Sequence, residues 1–189
     1  MAYLTIDAAR LAATRAGVRS TRIAEAQFQK AAGAPLTATY DIFLSHSFMD
    51  AETIAGVMAI LEGEGQRVYV DWIEDPQADR SHVTPSTAKL LRERLRNSRS
   101  LIYASSAAST TSKWMPWELG YFDGFRPGYV AILPLVKTAG SSFTGQEYLG
   151  LYPYMEHLTI DGRPRLGIMV KANTAQTLEG FTRNGFRGA

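Results

Sequence analysis

The sequence predicts an α/β fold, a central parallel sheet with helices on both faces. Four short apolar runs, Tyr40–Ser45, Gln66–Trp72, Ser100–Ala104 and Tyr129–Val136, are rich in β-branched and aromatic residues. They have no helical period and read as buried strands. Between them lie segments whose apolar residues recur at helical spacing, and glycine, asparagine or proline punctuates the joins. Strands that alternate with helices imply a parallel sheet. In such sheets ligands sit beyond the carboxyl ends of the strands.

The chain has 189 residues, enough for one compact domain with an appendage, and its 46% hydrophobic content suits a globular core. A net charge of +2 gives no reason to expect a nucleic-acid partner. There are no cysteines, which excludes disulfides, thiolate metal sites and cysteine nucleophiles and fits a reducing, cytoplasmic setting. His46, His82 and His157 do not share metal-ligand spacing, so no metal is expected. The longest apolar run, Tyr129–Val136, is too short to span a bilayer, and no secretory signal pattern is present.

Residues 1–36 read as an N-terminal helical arm, rich in alanine and arginine, ahead of the main domain at 37–189. The arm is a helix packed on the body, one that docks on a neighbour or on another copy, or, being Arg-rich and acid-poor, a segment like an organelle transit peptide. Asp50–Glu64 forms a helix with Ile54, Val57, Met58, Ile60 and Leu61 inward, capped by Asp50 and ended by Gly63 and Gly65. A polar loop runs from Ile73 to Pro85. Thr87–Asn97 is a helix with Leu90, Leu91 and Leu95 inward; Arg92, Arg94, Arg96 and Arg99 read as a solvated face. Beyond about residue 137 a C-terminal extension holds a short helix at Gln146–Tyr152, a strand pair at Leu158–Gly162 and Leu166–Lys171, and a fraying tail.

The most informative stretch follows the serine-rich loop at 105–112. Trp114 and Glu118 are four residues apart, which on a helix puts a cation-binding ring and an anion on one face. Pro116 suits a helix start, and Ser112 or Thr111 suits its cap. The competing reading is an amphipathic helix with Trp117, Leu119, Phe122 and Phe125 in the core and Glu118 in solvent.

Three motifs in order resemble a bacterial Toll/interleukin-1 receptor (TIR) domain. Tyr40-Asp41-Ile42-Phe43-Leu44-Ser45-His46-Ser47 resembles the family's opening strand, and Val68-Tyr69-Val70-Asp71 its second. Leu101–Ser105 followed by Ser112, Trp114, Glu118 and Leu119 is similar to the family's Ser-x-Trp-x-x-x-Glu-Leu pattern. The resemblance covers residues 39–136. The loop after the second strand departs from it, lacking the usual Leu-x-x-Gly.

The resemblance implies a flavodoxin-like three-layer sandwich and an enzyme that cleaves NAD at the nicotinamide–ribose bond. NAD is then a substrate and no cofactor is needed. Glu118 is implied as catalytic, with Trp114, Ser45 and His46 at the substrate. The product is ADP-ribose or a cyclic ADP-ribose signal, in a setting of bacterial antiviral defence. Partners implied are other TIR domains, through self-assembly, and a separate effector or sensor protein. Two alternatives stay open: a non-catalytic TIR scaffold, and a nucleoside deoxyribosyltransferase-like enzyme, which also places a glutamate at an N-glycosidic bond.

Overall fold

Burial on both faces decides where the strands lie. In the computed structural model, which describes residues 2–18, 34–47, 51–70, 85–160, 162–171 and 174–186, three of the apolar runs are middle strands of one sheet and the run that begins at Gln66 supplies an edge strand. In chain order the elements are β1 (Leu4–Thr5), α1 (Ile6–Arg15), β2 (Tyr40–Ser45), α2 (Ala51–Gly63), β3 (Val68–Val70), α3 (Pro85–Arg96) and β4 (Ser98–Ser105). A 3-10 helix (Ala107–Thr111), α4 (Trp114–Phe125), β5 (Val130–Val136) and a second 3-10 helix (Glu147–Leu151) follow. The chain closes with β6 (Tyr154–Ile160), β7 (Arg163–Lys171), β8 (Thr174–Thr177) and α5 (Leu178–Asn184). The Asp50 cap, Asp71, His82, the polar loop and residues 19–33 lie outside the described residues.

The sheet runs β3, β2, β4, β5, β6, β7, β8, with β1 paired to the end of β5. The strands from β3 to β6, and β1, are parallel; β7 and β8 are antiparallel additions. The first crossover, β2 to β3, goes to one side, and the next returns past β2 to β4. This is the flavodoxin-like order, and its topological switch point lies between β2 and β4. On one face α1, α2 and α5 pack through Ala9, Val57, Leu61 and Phe181. On the other, α3 and α4 pack through Leu91, Leu95, Met115, Leu119 and Phe122. The result is the three-layer sandwich that the alternation predicted.

At the N-terminus, packing on the body is what residues 4–18 do. Leu4 pairs with Leu135, and Thr5 caps α1 by accepting from the Ala8 N–H at 3.1 Å. Small residues set the approach of α1 to α2: Ala9 and Ala13 are buried, and a Cβ on Gly56 would lie 1.8 Å from the Ala9 carbonyl oxygen. Two strand residues are too few to show a period, so the sequence showed only the helix.

Two readings of the basic helix are corrected. Arg94 is 1% exposed, not solvated. It shares the inward face with Leu91 and Leu95, donates to the Pro35 carbonyl at 2.7 Å and to that of Ala34, and lies over the Tyr69 ring. Leu90 is exposed instead. The C-terminal strand pair is present as the β6–β7 hairpin, which turns at Gly162 with φ +73°. What read as a fraying tail includes α5, capped by Thr177 and anchored by Leu178 and Phe181.

Candidate active site

Helix α4 starts at Trp114, so Trp114 and Glu118 do share a face. Ser112 supports the start, its Oγ accepting from the Met115 N–H at 3.3 Å. Pro116 occupies the first turn, where a missing N–H costs no intrahelical bond. The buried side chains Met115, Glu118, Leu119 and Phe122 form one stripe. Glu118 belongs to that stripe at 3% exposure, while Phe125, expected in the core, is 41% exposed.

A carboxylate in an apolar stripe requires donors, because burying an unpaired charge costs several kcal/mol. Ser45, the last residue of β2, donates its Oγ to Glu118 Oε2 at 2.5 Å across the switch point. Charge-assisted bonds of this kind are the short, strong ones. The neighbouring His46 is buried, and its Nδ1 lies 3.2 Å from the Leu44 carbonyl oxygen, a contact that puts the proton on Nδ1. Trp114 is half-buried. It meets Trp117 edge-on at 5.4 Å, and Trp117 stacks on Tyr121 at 5.6 Å.

The serine loop has its own logic. Ser109 Oγ donates to the Ser106 carbonyl at 2.7 Å and accepts from the Ser106 N–H at 3.2 Å, fixing the turn that leads from β4 into α4.

Two tyrosines that sequence reasoning passed over complete the cluster. Tyr103 stands opposite Ser45 in the β2–β4 register and is fully buried on the face that packs against α4. Burial raises its hydroxyl pKa far above the ordinary range, helped by Tyr148 and by the Glu118 charge. Tyr148 arrives from the C-terminal extension; its hydroxyl donates to Gln146 Oε1 at 2.5 Å. Tyr152 ties the same segment to α4, donating to Asp123 Oδ2 at 3.2 Å. Strand alternation gave a signal for Tyr103, two residues on from buried Leu101. A single 3-10 turn gives none for Tyr148.

A cavity of about 380 Å³ opens at the opposite, amino-terminal edge of the sheet, lined by Asp41, Glu64, Gln66, Arg99, Glu179 and Arg183. Its charges pair within the fold, Arg99 with Asp41 at 3.3 Å and Arg183 with Glu179 at 2.8 Å. The switch point, where a buried carboxylate is aimed by a fixed donor, is the better candidate. Among the described residues no group of three or more acidic or histidine side chains could hold a metal ion, and no helix is long and apolar enough to cross a membrane.

Sequence comparison adds an independent line. No protein-family model matches the chain. A Bacillus cereus (strain MSX-D12) protein that carries the name probable 3′ cyclic ADP-D-ribose synthase ThsB′ is 53% identical over 138 residues, covering 72% of this chain and 71% of the relative. The chain is a bacterial TIR-domain protein of the NAD-cleaving type. A second relative, from Cytobacillus dafuensis, carries the provisional name cyclic ADP-D-ribose synthase TIR2. It is 29% identical over 83 residues, 43% of this chain and 22% of that protein. In this TIR domain the opening-strand motif delivers Ser45 and His46, and the Ser-x-Trp-x-x-x-Glu-Leu motif delivers Trp114 and Glu118.

Proposed function

We propose that this TIR domain cleaves the nicotinamide–ribose bond of NAD, with Glu118 as the catalytic carboxylate and Trp114, Ser45 and His46 as substrate-binding residues. The observation that carries the reading is the Ser45–Glu118 hydrogen bond at the switch point. It holds one carboxylate oxygen and fixes the orientation of the other.

The chemistry needs few groups. The breaking bond leaves its electron pair on the pyridinium nitrogen, so nicotinamide departs neutral and no general acid is required. Positive charge develops on the ribose, and a carboxylate beside the anomeric carbon stabilises it. A hydroxyl then bonds to that carbon and gives up its proton, with Glu118 as acceptor. Water as nucleophile yields ADP-ribose; a hydroxyl of the same molecule yields a cyclic ADP-ribose. The name of the Bacillus cereus relative favours the cyclic product, with closure through a 3′ hydroxyl. Trp114 holds the cationic nicotinamide ring through a cation–π contact worth about 0.5–2 kcal/mol. His46, next to Ser45, serves a phosphate or ribose oxygen.

The cyclic product acts as a signal to a separate effector in antiviral defence, in the cytoplasm, where NAD is found. TIR–TIR self-assembly accompanies activity. The test is incubation of purified protein with NAD and identification of products by mass and NMR. Wild type releases nicotinamide and a cyclic ADP-ribose, while a folded Glu118→Gln variant loses nearly all turnover. Undiminished turnover in that variant removes Glu118 from the chemistry.

A further inference from the structure

Ser45 and Glu118 leave one polar group of the cluster without a task. Tyr103 faces the same side of the sheet as Ser45 and sits opposite it on the neighbouring strand. Its side chain is fully enclosed, yet its hydroxyl has no hydrogen-bond partner among the described residues. Tyr148 lies beside it, but the two phenols do not close a hydrogen bond of acceptable geometry, and Tyr148 turns its hydroxyl to Gln146 on its own segment. Native folds rarely keep an orphaned buried hydroxyl where phenylalanine would pack as well. A ligand that completes the bond is one reason to keep such a group.

The neighbours say what kind of ligand atom fits. Glu118 offers acceptors. Tyr103 offers a donor, since burial and the Glu118 charge keep its phenol protonated. A carboxylate and a phenol in one cluster complement a group that donates to the first and accepts from the second. A sugar hydroxyl does both.

We propose that Tyr103 is a ribose-binding residue of this site: its phenol donates to the ribose hydroxyl next to the anomeric carbon, while that hydroxyl donates to Glu118. The assignment rests on NAD being the substrate. As the ribose enters, the half-buried Tyr148 turns aside and gives up its bond to Gln146.

The test compares wild type and Tyr103→Phe on NAD and on an NAD analogue in which that hydroxyl is replaced by hydrogen. Tyr103→Phe keeps the ring, so its melting temperature stays at or above that of wild type. On NAD it loses about tenfold or more in kcat/KM, the loss of one hydrogen bond. On the deoxy analogue the two proteins perform alike, because the partner of the phenol is already gone. Equal losses on both substrates, no loss on NAD, or a markedly lower melting temperature each overturn the proposal. Wild type that is inert toward NAD overturns the functional reading itself, a separate and distinguishable result.

Discussion

Replacing Gly56 with alanine tests whether α1 is part of the domain body. An added Cβ at Gly56 would sit 1.8 Å from the Ala9 carbonyl oxygen and 2.5 Å from its carbon. These are backbone atoms of a packed helix and cannot swing away. Relief requires α1 and α2 to part by about 1.5 Å, which loosens the contacts that bury Ala9 and Ala13. Overpacking costs typically about 1–3 kcal/mol, and a backbone clash belongs at the upper end or beyond. Alanine recovers about 1 kcal/mol of helix propensity. The net is about 2–3 kcal/mol of lost stability, or a fall in melting temperature of about 5–10 °C for a domain of this size. Thermal unfolding followed by circular dichroism reads this directly. Gly63→Ala is the control, since an added Cβ there meets nothing within 4 Å; its melting temperature should hold or rise slightly. A Gly56→Ala protein that melts with wild type would mean that α1 is not held against α2.

Three further outcomes are expected. Trp114→Ala should raise KM for NAD more than Trp114→Phe does, both remaining folded, because phenylalanine keeps a smaller π face; steady-state kinetics with thermal melts checks it. Arg94→Lys should lower stability by about 2–3 kcal/mol in a denaturant titration, since one ammonium cannot reproduce the guanidinium fork that reaches both the Ala34 and Pro35 carbonyls from a buried position. The Tyr152 hydroxyl is pushed up to about 12 from an ordinary 10.0, by burial first and then by the Asp123 carboxylate. The folded state therefore holds this proton more tightly than the unfolded chain. Its contribution is intact below pH 10 and fades as the pH rises toward 12. Tyr152→Phe should flatten that part of the alkaline unfolding profile.

The legible parts of the molecule were those whose local pattern and global role agree. β2, β4 and β5 are buried along most of their length and read as short, mostly apolar runs. Glu118 was singled out by its spacing from Trp114, but spacing could not say that it is buried or that Ser45, from another strand, donates to it. Arg94 was misread because charge outweighed phase: it falls in line with Leu91 and Leu95, and only the fold shows backbone carbonyls waiting there. Tyr148 and α5 lay in a stretch whose elements are single turns or seven residues long, too short to build a period. Their positions are set by tertiary contacts, such as the Tyr152–Asp123 bond, which leave no local trace.

Strand β1 carries a kinetic consequence. Leu4 emerges during synthesis well before its partner strand, β5, is made. Until β5 exists, Leu4 has no ladder to join. Pairing so distant in sequence closes a long loop, the slow kind of step in folding. The parallel strands from β2 to β5 can assemble without it, so β1 should be added late, as the piece that closes the sheet beside β6, where the Ala2 carbonyl accepts from the His157 N–H at 2.8 Å. A chain stalled before that step would present an open strand edge next to Tyr154 and Glu156, a natural place for one nascent copy to capture the β1 segment of another.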